Sequence, residues 1–193
     1  MSQNKTINKY VSTTRTIRRN DIIDASIKIF SDYGLDGSNT RAIAKQAGVS
    51  QTLLYKYFKD KDEIIHECTS TYHDEIQGKI TKIIADSFDN LDVLPEKVLE
   101  YIDDVIDICR FLLQVIAHPI YSSMMKEPQL FSQDQIDTSV EIFVEKFHTN
   151  QHTALGAILL FNSTINEYIL KKSKEKYFIQ MDAIKLLICN KVE

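Results

Sequence analysis

Residues 40–58 read TRAIAKQAGVSQTLLYKYF and carry the clearest structural signal in the chain. Two short segments with apolar residues at helical spacing are separated by Gly-Val-Ser, and Ser50 is a residue type that caps the amino end of a helix. Gly48 supplies the backbone freedom that a tight turn between helices needs. The stretch therefore predicts two short helices, 41–47 and 51–58, joined in a helix-turn-helix.

A small apolar core is expected between these two helices. Ala44 and Ala47 are small enough to let the helices approach each other closely. The core residues of the segment are Ile43, Ala44, Ala47, Val49, Leu54 and Phe58. In a helix-turn-helix, the second helix of the pair enters the DNA major groove with its amino end first. The side chains on the groove side are then Gln51, Thr52, Leu53, Lys56 and Tyr57.

These side chains offer distinct contacts to DNA. Gln51 can form paired hydrogen bonds with adenine, and Thr52 or Leu53 can contact a thymine methyl group. Phosphate contacts are expected from four residues, Thr40, Arg41, Tyr55 and Lys61. Taken singly, each residue fits a solvated helix face equally well, and Tyr55 and Tyr57 also fit core packing. Their clustering on one short helix favours the DNA-binding interpretation.

Helical patterns also flank this stretch. Upstream, an apolar stripe predicts a helix over 21–33 that ends at Gly34. The stripe comprises Ile22, Ile23, Ile27 and Phe30. Downstream, Asp60 is placed to cap a fourth helix that begins near residue 61. Residues 1–20 hold five Lys/Arg and no acid, which predicts a flexible basic arm from which Arg18 and Arg19 reach DNA.

The charge distribution supports a polyanion at one end of the molecule. The chain has a net charge of −4, but residues 1–62 hold eleven Lys/Arg against six Asp, whereas residues 63–193 hold twelve Lys/Arg against twenty-one Asp/Glu. A basic first third on an acidic remainder is an electrostatic arrangement suited to nucleic acid. Basic amino-terminal tails are common, so the asymmetry supports the interpretation without proving it.

Residues 21–65 resemble the DNA-binding domain of the TetR/AcrR family of bacterial regulators. The family pattern has a first helix ending in aromatic-Gly, then Ile-Ala-x-x-Ala-Gly-Val-Ser, then Leu-Tyr-x-Tyr-Phe-x-x-Lys-acid-x-Ile/Leu. The matching residues are Tyr33, Gly34, Ile43, Ala44, Ala47, Gly48, Val49, Ser50, Leu54, Tyr55, Tyr57, Phe58, Lys61, Asp62 and Ile64. Members often have Gly at Thr52, a small residue at Leu53, and Val or Met at Thr40. The operator is therefore expected to differ from those of better-known members.

The rest of the chain is expected to be helical as well. Five Gly and three Pro in 193 residues leave little material for a turn-rich β fold. We predict an all-α protein of about nine helices, with an N-terminal three-helix helix-turn-helix DNA-binding domain and a C-terminal helical bundle for ligand binding and dimerisation. The expected regions are a basic arm at 1–20, the DNA-binding domain at 21–62 and the bundle at 63–193. The expected bundle helices after the fourth are 95–118, a short one at 121–126, 132–147, 153–172 and 175–190.

The resemblance implies that the last two helices pair across a two-fold axis in a homodimer. Half-site spacing on duplex DNA requires two such headpieces, set about one helical turn or a multiple of it apart. The expected interface residues are Leu155, Ile158, Ile165, Ile169, Phe178, Met181, Ile184, Leu187 and Ile188. The alternative is that both helices only complete the core of a monomer.

A ligand site is expected inside the bundle, where Met and aromatic side chains adapt to apolar molecules. The candidate lining residues are Tyr101, Cys109, Leu112, Tyr121, Met124, Met125, Phe131, Phe143, Phe147, Phe161 and Asn162. Four polar residues, Asp104, His118, Asn162 and Asn166, are candidates for orienting a ligand. Each lining residue fits an ordinary core position equally well, so the effector is expected only to be small and largely apolar.

Other classes of function have weaker support. Cys68, Cys109 and Cys189 are widely spaced, which indicates reduced cysteines rather than a disulfide or zinc site. His148 and His152 lack a further ligand nearby. We expect no catalytic residues, no metal site and no cofactor, and therefore no enzyme. Without a signal sequence or a long apolar run, the protein is expected to be cytoplasmic and to have no membrane partner.

The resemblance thus implies a repressor that binds double-stranded operator DNA and is released when an effector fills the bundle and tilts the fourth helix. An effector shifts the equilibrium between the DNA-binding and the released conformation only if its affinity for the two conformations differs. Two alternatives stay open: an architectural DNA-binding protein without an effector, and an all-α enzyme or carrier with a vestigial helix-turn-helix. Salt-sensitive DNA binding is expected of the repressor and of the architectural protein but not of the enzyme or carrier.

Overall fold

The computed structural model describes the backbone of residues 3–124 and 133–189 and the side chains of residues 18–123 and 136–189. Within these residues the chain is helical and has no strand, which confirms the predicted all-α fold. Contacts divide the chain into two units, Met1–Tyr72 and His73–Glu193. The division falls ten residues after the expected one. In the described part, no helix combines the length and apolar character needed to span a membrane.

The first unit is built from three helices and the beginning of a fourth. They are α1 (Gln3–Gly37), α2 (Thr40–Gln46), α3 (Gln51–Leu54) and the first half of α4 (Lys61–Ala85). The third helix is four residues long, so the expected extension to residue 58 is wrong. Backbone hydrogen bonds from Lys56 to Leu53 and from Tyr57 to Leu54 close turns instead.

Helix α1 is much longer than the sequence pattern suggested. It begins at Gln3, so the expected arm over 1–20 is largely a continuation of the helix that was predicted to start at residue 21. Neither Gly nor Pro occurs before Gly34, so the residues that most strongly stop a helix are missing from this region. Gly34 itself has non-helical backbone angles (φ 77°, ψ 165°) and interrupts α1 where the stop was predicted.

Side chains cap three helices of this unit, and two of these caps, Ser50 and Asp60, are those that the sequence predicts. The Oδ1 of Asn39 accepts from the backbone N–H of Ala42 at 2.9 Å at the start of α2. The Oγ of Ser50 accepts from the N–H of Leu53 at 3.1 Å at the start of α3. At α4, the Oδ1 of Asp60 accepts a third such bond. Each cap satisfies a backbone donor that the helix cannot pair internally, which is worth about 1 kcal/mol.

The core of the first unit contains the apolar residues expected from the stripe of α1 and from the helix-turn-helix. Its fully buried large side chains are Ile22, Phe30, Ile43, Leu54, Phe58, Ile64 and Ile65. Ala44 is also buried, whereas Ala47 and Val49 are half-buried. Leu54 is the fully buried residue of α3, and Gln51 and Thr52 stay exposed.

The second unit holds the rest of α4 and five more α-helices. They are α5 (Leu94–Asp104), α6 (Ile106–Ala117), α7 (Gln133–Phe147), α8 (Gln151–Lys171) and α9 (Lys174–Cys189). Short 3₁₀ segments stand at Leu91–Val93 and Tyr121–Met124. The second of these replaces the short helix expected at 121–126, and α7 to α9 begin and end within two residues of the predicted bounds.

The helix predicted over 95–118 is divided in two at Val105, which has φ −115° and ψ 23°. Val98 on α5 and Phe111 on α6 are both fully buried. In one uninterrupted helix these two side chains would point about 140° apart, because each residue advances by about 100°. The break lets both helices bury their apolar side chains, and no Gly or Pro marks it in the sequence.

Helices α8 and α9 form a hairpin fixed to α5. Lys172 ends α8 in the left-handed conformation (φ 53°). The hydroxyl of Tyr168 donates to Oδ1 of Asp103 at 2.6 Å, and the Nζ of Lys174 lies 3.2 Å from Oδ2 of the same carboxylate. The hydrogen bond from Tyr168 lowers the pKa of Asp103, and burial raises that of Tyr168 to about 12. The hydroxyl of Tyr177 donates to the carbonyl of Pro95 at 2.9 Å.

Most of the expected dimer residues face the core of their own unit. Five of the nine are buried: Ile165, Ile169, Met181, Ile184 and Ile188. Ile158 and Phe178 are half-buried, while Leu155 and Leu187 are exposed. Periodicity identifies an apolar face but does not tell which of two apolar faces points inward. The exposed large apolar side chains of α8 and α9 are Leu155, Leu159, Leu160, Leu170, Ile179, Leu186 and Leu187.

Candidate DNA-binding surface and ligand cavity

Helix α3 presents its polar side chains to solvent. Gln51, Thr52 and Lys56 are exposed, and Leu53 and Tyr57 are half-buried. Ser50 caps the helix and Leu54 anchors it in the core, so its exposed side is held at a fixed orientation on the unit. All five groove-side candidates are thus brought together on one short segment.

Three of the predicted DNA contacts are joined by hydrogen bonds. The Nε2 of Gln51 donates to the Oγ1 of Thr40 at 3.2 Å, and this hydroxyl lies 3.0 Å from the hydroxyl of Tyr55. Tyr55 is 48% exposed, which excludes the alternative of core packing for this residue. The first residue of α2, the first residue of α3 and the residue after α3 therefore share one polar network.

The basic residues of the first unit divide into two groups. Arg18 and Arg41 are exposed and accessible to a phosphate. Arg19 instead donates from Nη1 to Oε1 of Glu67, and its guanidinium lies 4.8 Å from the ring centroid of Phe58. The hydrogen bond raises the pKa of Arg19 and lowers the pKa of Glu67. Because its charge is paired inside the unit, Arg19 has a structural role, and the DNA contact expected for it stays a prediction.

Lys61 also differs from its expected role. Its Nζ donates to the backbone carbonyl of Leu35 at 2.7 Å and to that of Ser38 at 3.4 Å. These carbonyls follow the interruption of α1 at Gly34, where helix ends leave acceptors unpaired. The ammonium group therefore fixes the end of α1 to the start of α4, and the phosphate contact expected for Lys61 stays a prediction.

The second unit contains an apolar cavity of about 100 Å³. Residues of α4, of the following loop and of α5, α7, α8 and α9 surround it. Its lining residues are Thr81, Ile84, Ala85, Phe88, Leu91, Leu94, Ile136, Ser139, Ile142, Phe143, Ala157, Ile158, Phe161, Asn162, Ile184 and Ile188. A concave, mostly apolar space with a few polar groups is the usual form of a small-molecule site.

The cavity contains only part of the predicted lining. Phe143, Phe161 and Asn162 line it. Tyr101, Cys109, Leu112 and Tyr121 do not, and the last three are buried as core residues. Burial raises the pKa of Tyr101 and that of Cys109 to about 12 in each case. The side chains of Met124, Met125 and Phe131 lie outside the described residues.

Sequence reasoning missed the side of the cavity formed after α4. Phe88 packs edge-on against both Phe143 and Phe147, with ring centroids 5.6 Å and 5.9 Å apart. Phe147 is therefore next to the cavity through Phe88. Leu91 and Leu94 complete this wall. The apolar residues at 88, 91 and 94 in an otherwise polar loop were the available signal, since a solvent-exposed loop has no need of them.

Helices α2 and α3 are joined by a turn at Gly48 and form a helix-turn-helix. The chain therefore has the class of fold in which a helix-turn-helix unit is followed by a second helical unit. Residues 22–68 match the family described as bacterial regulatory proteins, TetR family. Over these residues the chain is similar to the TetR family of regulators. A curated relative, the transcriptional repressor KstR2 of Rhodococcus jostii, is 30% identical over 73 residues, which are 38% of this chain and 36% of the relative. The chain thus spans about a third of the length of this relative.

Solved structures show the same fold over nearly the whole chain. One is a TetR-family regulator from Mesorhizobium loti, with a TM-score of 0.64, 18% identity and coverage of 89% of this chain and 95% of the other. Another is the regulator FadR from Bacillus subtilis in complex with stearoyl-CoA, with a TM-score of 0.60, 16% identity and coverage of 87% and 96%. These likenesses show that both units adopt the family fold.

Proposed function

We propose that this protein is a DNA-binding transcriptional regulator, acting as a repressor, whose α3 reads operator DNA in the major groove. The observation that carries the proposal is the exposed surface of α3, which is held on the unit by Leu54 and presents Gln51 and Thr52, with the exposed Lys56 in the turn that follows. Gln51 keeps its Oε1 and one N–H for an adenine while the other N–H bonds Thr40. Arg18 and Arg41 supply accessible positive charge for phosphates.

Repression is supported by the similarity to KstR2, which is a transcriptional repressor, and by the family that residues 22–68 match. Release by a small molecule is supported by the cavity of the second unit and by the stearoyl-CoA bound to the related fold of FadR. The cavity of about 100 Å³ is smaller than ordinary ligand sites of about 300–1,000 Å³. An effector larger than the cavity must therefore bind more tightly to a conformation in which the bundle is wider. Since α4 contributes Thr81, Ile84 and Ala85 to the cavity wall, widening of the bundle displaces α4.

Homodimerisation belongs to the same proposal. The apolar side chains that α8 and α9 leave exposed are more numerous than scattered surface residues require. They favour a self-association surface formed by Leu155, Leu159 and Leu170 of α8 with Ile179 and Leu186 of α9. A second copy paired through this surface would bring two copies of α3 to one operator.

The DNA-binding claim is tested with the full chain by selecting fragments from a genomic library, footprinting the bound site and measuring affinity against salt. Lys56→Glu is expected to weaken operator binding about tenfold or more, because it replaces a cation beside DNA with an anion. Lys97→Glu is the matched control, since it makes the same charge change at an exposed residue of the second unit. Equal effects of the two variants, or binding without sequence preference, would contradict the proposal and favour an architectural DNA-binding protein.

The release claim needs a separate measurement. Operator affinity is compared with and without a saturating concentration of a compound already shown by calorimetry to bind the cavity. The proposal expects weaker operator binding in the presence of that compound, since a ligand that prefers the released state must lower DNA affinity by the same coupling. Unchanged affinity would remove release from the proposal and leave DNA binding intact.

A further inference from the structure

The wall of the cavity in the second unit has an unusual composition. Of the described residues that line it, thirteen are apolar and none carries a charge. The polar ones are Thr81, Ser139 and Asn162. An ion moved from water into such a site loses its hydration and gains no partner of opposite charge, which is strongly unfavourable. The described wall therefore selects against charged groups within the cavity.

Asn162 is the polar group best placed to recognise a ligand. It lies on α8 between Ile158 and Ile165, and its half-buried amide is among the cavity lining. No hydrogen bond joins this amide to another described residue, whereas Asn39, Asn90 and Asn150 each cap a helix. An amide offers both donors and an acceptor, so it can bond a hydroxyl or a carbonyl equally well.

The size of the cavity limits the ligand further. An apolar cavity of about 150 Å³ holds one benzene ring, and the present cavity of about 100 Å³ extends to the surface beside the exposed Ile142. Phe88, Phe143 and Phe161 provide ring faces and edges for an aromatic or aliphatic group. A molecule with one six-membered ring is therefore only partly enclosed and extends through the opening beside Ile142.

We propose that the cavity binds a compact, uncharged apolar molecule, or an uncharged apolar group of one, through a single hydroxyl or carbonyl that hydrogen-bonds the amide of Asn162. This inference rests on the ligand site of the proposed function and specifies the chemistry of its ligand. It makes Asn162 the residue that sets specificity, and the apolar wall the source of most of the affinity.

The test uses three probes of nearly equal size, namely toluene, benzyl alcohol and benzoate, titrated calorimetrically into the full chain at pH 7. Benzyl alcohol is expected to bind about threefold or more tightly than toluene, because it adds one hydrogen bond. Benzoate is expected to bind about tenfold or more weakly than benzyl alcohol, because its charge must leave water. In Asn162→Leu, the preference for benzyl alcohol over toluene disappears and toluene binding persists.

Asn166→Leu is the matched control, because it removes the same amide from a half-buried position one turn further along α8 that does not line the cavity. It is expected to keep the order of the three probes. Benzoate binding as tightly as benzyl alcohol, no binding of any probe, or an unchanged preference in Asn162→Leu would each overturn the inference. Operator binding is measured on the same samples without probe, so a failure of the ligand inference is distinguished from a failure of DNA recognition.

Discussion

The side-chain amide of Gln51 donates to the hydroxyl of Thr40 at 3.2 Å, linking the first residue of α3 to the first residue of α2. The bond fixes the orientation of an exposed side chain that would otherwise sample several rotamers. A groove-reading residue whose rotamer is already set loses less entropy when it binds a base. Thr40 is therefore a positioning residue for Gln51, in addition to the phosphate contact predicted for it.

Removal of this hydroxyl in Thr40→Val is expected to lower operator affinity about two- to tenfold, which corresponds to one neutral hydrogen bond. Fluorescence anisotropy with a labelled operator measures the change. Thr71→Val, an exposed threonine of α4, is the control. If Thr40 acts through Gln51, the effect shrinks in a Gln51→Ala background. A full effect in that background would show that Thr40 acts independently.

The pair of Arg19 and Glu67 is expected to make folding stability depend on pH. The hydrogen bond to Arg19 lowers the pKa of Glu67 below its ordinary value of 4.5. The stabilisation is therefore fully present above pH 4.5 and is lost as the pH falls through the lower folded-state pKa. Glu67→Gln should reduce the free energy of unfolding at pH 7 by about 1 kcal/mol, since the pair is partly buried.

Urea titrations of both proteins between pH 7 and pH 3 check this pH dependence. The difference between wild type and Glu67→Gln should diminish towards acid. Glu63→Gln is a poorer comparison because its carboxylate accepts from the backbone of Lys59. Lys28 and Asp32 are an exposed pair on α1, and Asp32→Asn serves as the control with a smaller effect. A constant difference at every pH would contradict the assignment.

Gly48 is required for its backbone conformation and not for space. Its φ is 65°, and a Cβ added there would meet no atom within 4 Å. Gly48→Ala is therefore expected to lower stability by about 1–2 kcal/mol through left-handed strain alone. Gly78 lies within α4 and is equally uncrowded, so Gly78→Ala should raise stability by about 0.5–1 kcal/mol. Denaturant unfolding measures both, and the same sign for both would refute this explanation.

The proposed self-association surface gives a prediction with a close control. Ile179 on α9 is 62% exposed and Ile120 after α6 is 66% exposed. Ile179→Lys is expected to shift the protein from dimer to monomer, because a charge on an apolar contact must be desolvated. Ile120→Lys makes the same change outside α8 and α9 and should leave the dimer intact. Light scattering after size exclusion distinguishes the two, and a dimeric Ile179→Lys would exclude this surface.

The helix-turn-helix region was the part of the fold that local sequence signals predicted best. Ser50 and Asp60 cap the helices at which their side-chain chemistry placed them. The stripe of α1 and the core residue Leu54 are buried as expected. These features depend on residues within about four positions of one another, so the chain sequence already contains the interacting partners.

The roles of Arg19 and Lys61 could not be obtained in the same way. Each is a cation in a basic segment, and only the folded chain brings Glu67 to the first and the carbonyls of Leu35 and Ser38 to the second. Glu67 is 48 residues from Arg19, and Leu35 and Ser38 are 26 and 23 residues from Lys61. For residues this far apart in sequence, the sequence alone does not indicate which groups come into contact in the folded chain.

The division between the two sources of information follows from the range of the forces. The helices, their caps, the turn at Gly48 and the exposed α3 depend on interactions between residues close in sequence. Such features can therefore be predicted from the sequence alone. Packing between helices distant in sequence decides three other features. It determines the break at Val105, the burial of Ile184 and Ile188 in their own unit, and the contact of Phe88 with Phe143. Apolar side chains at helical spacing are compatible with several neighbours, and only the mutual fit of all the helices selects which of them bury the core and which surround the cavity.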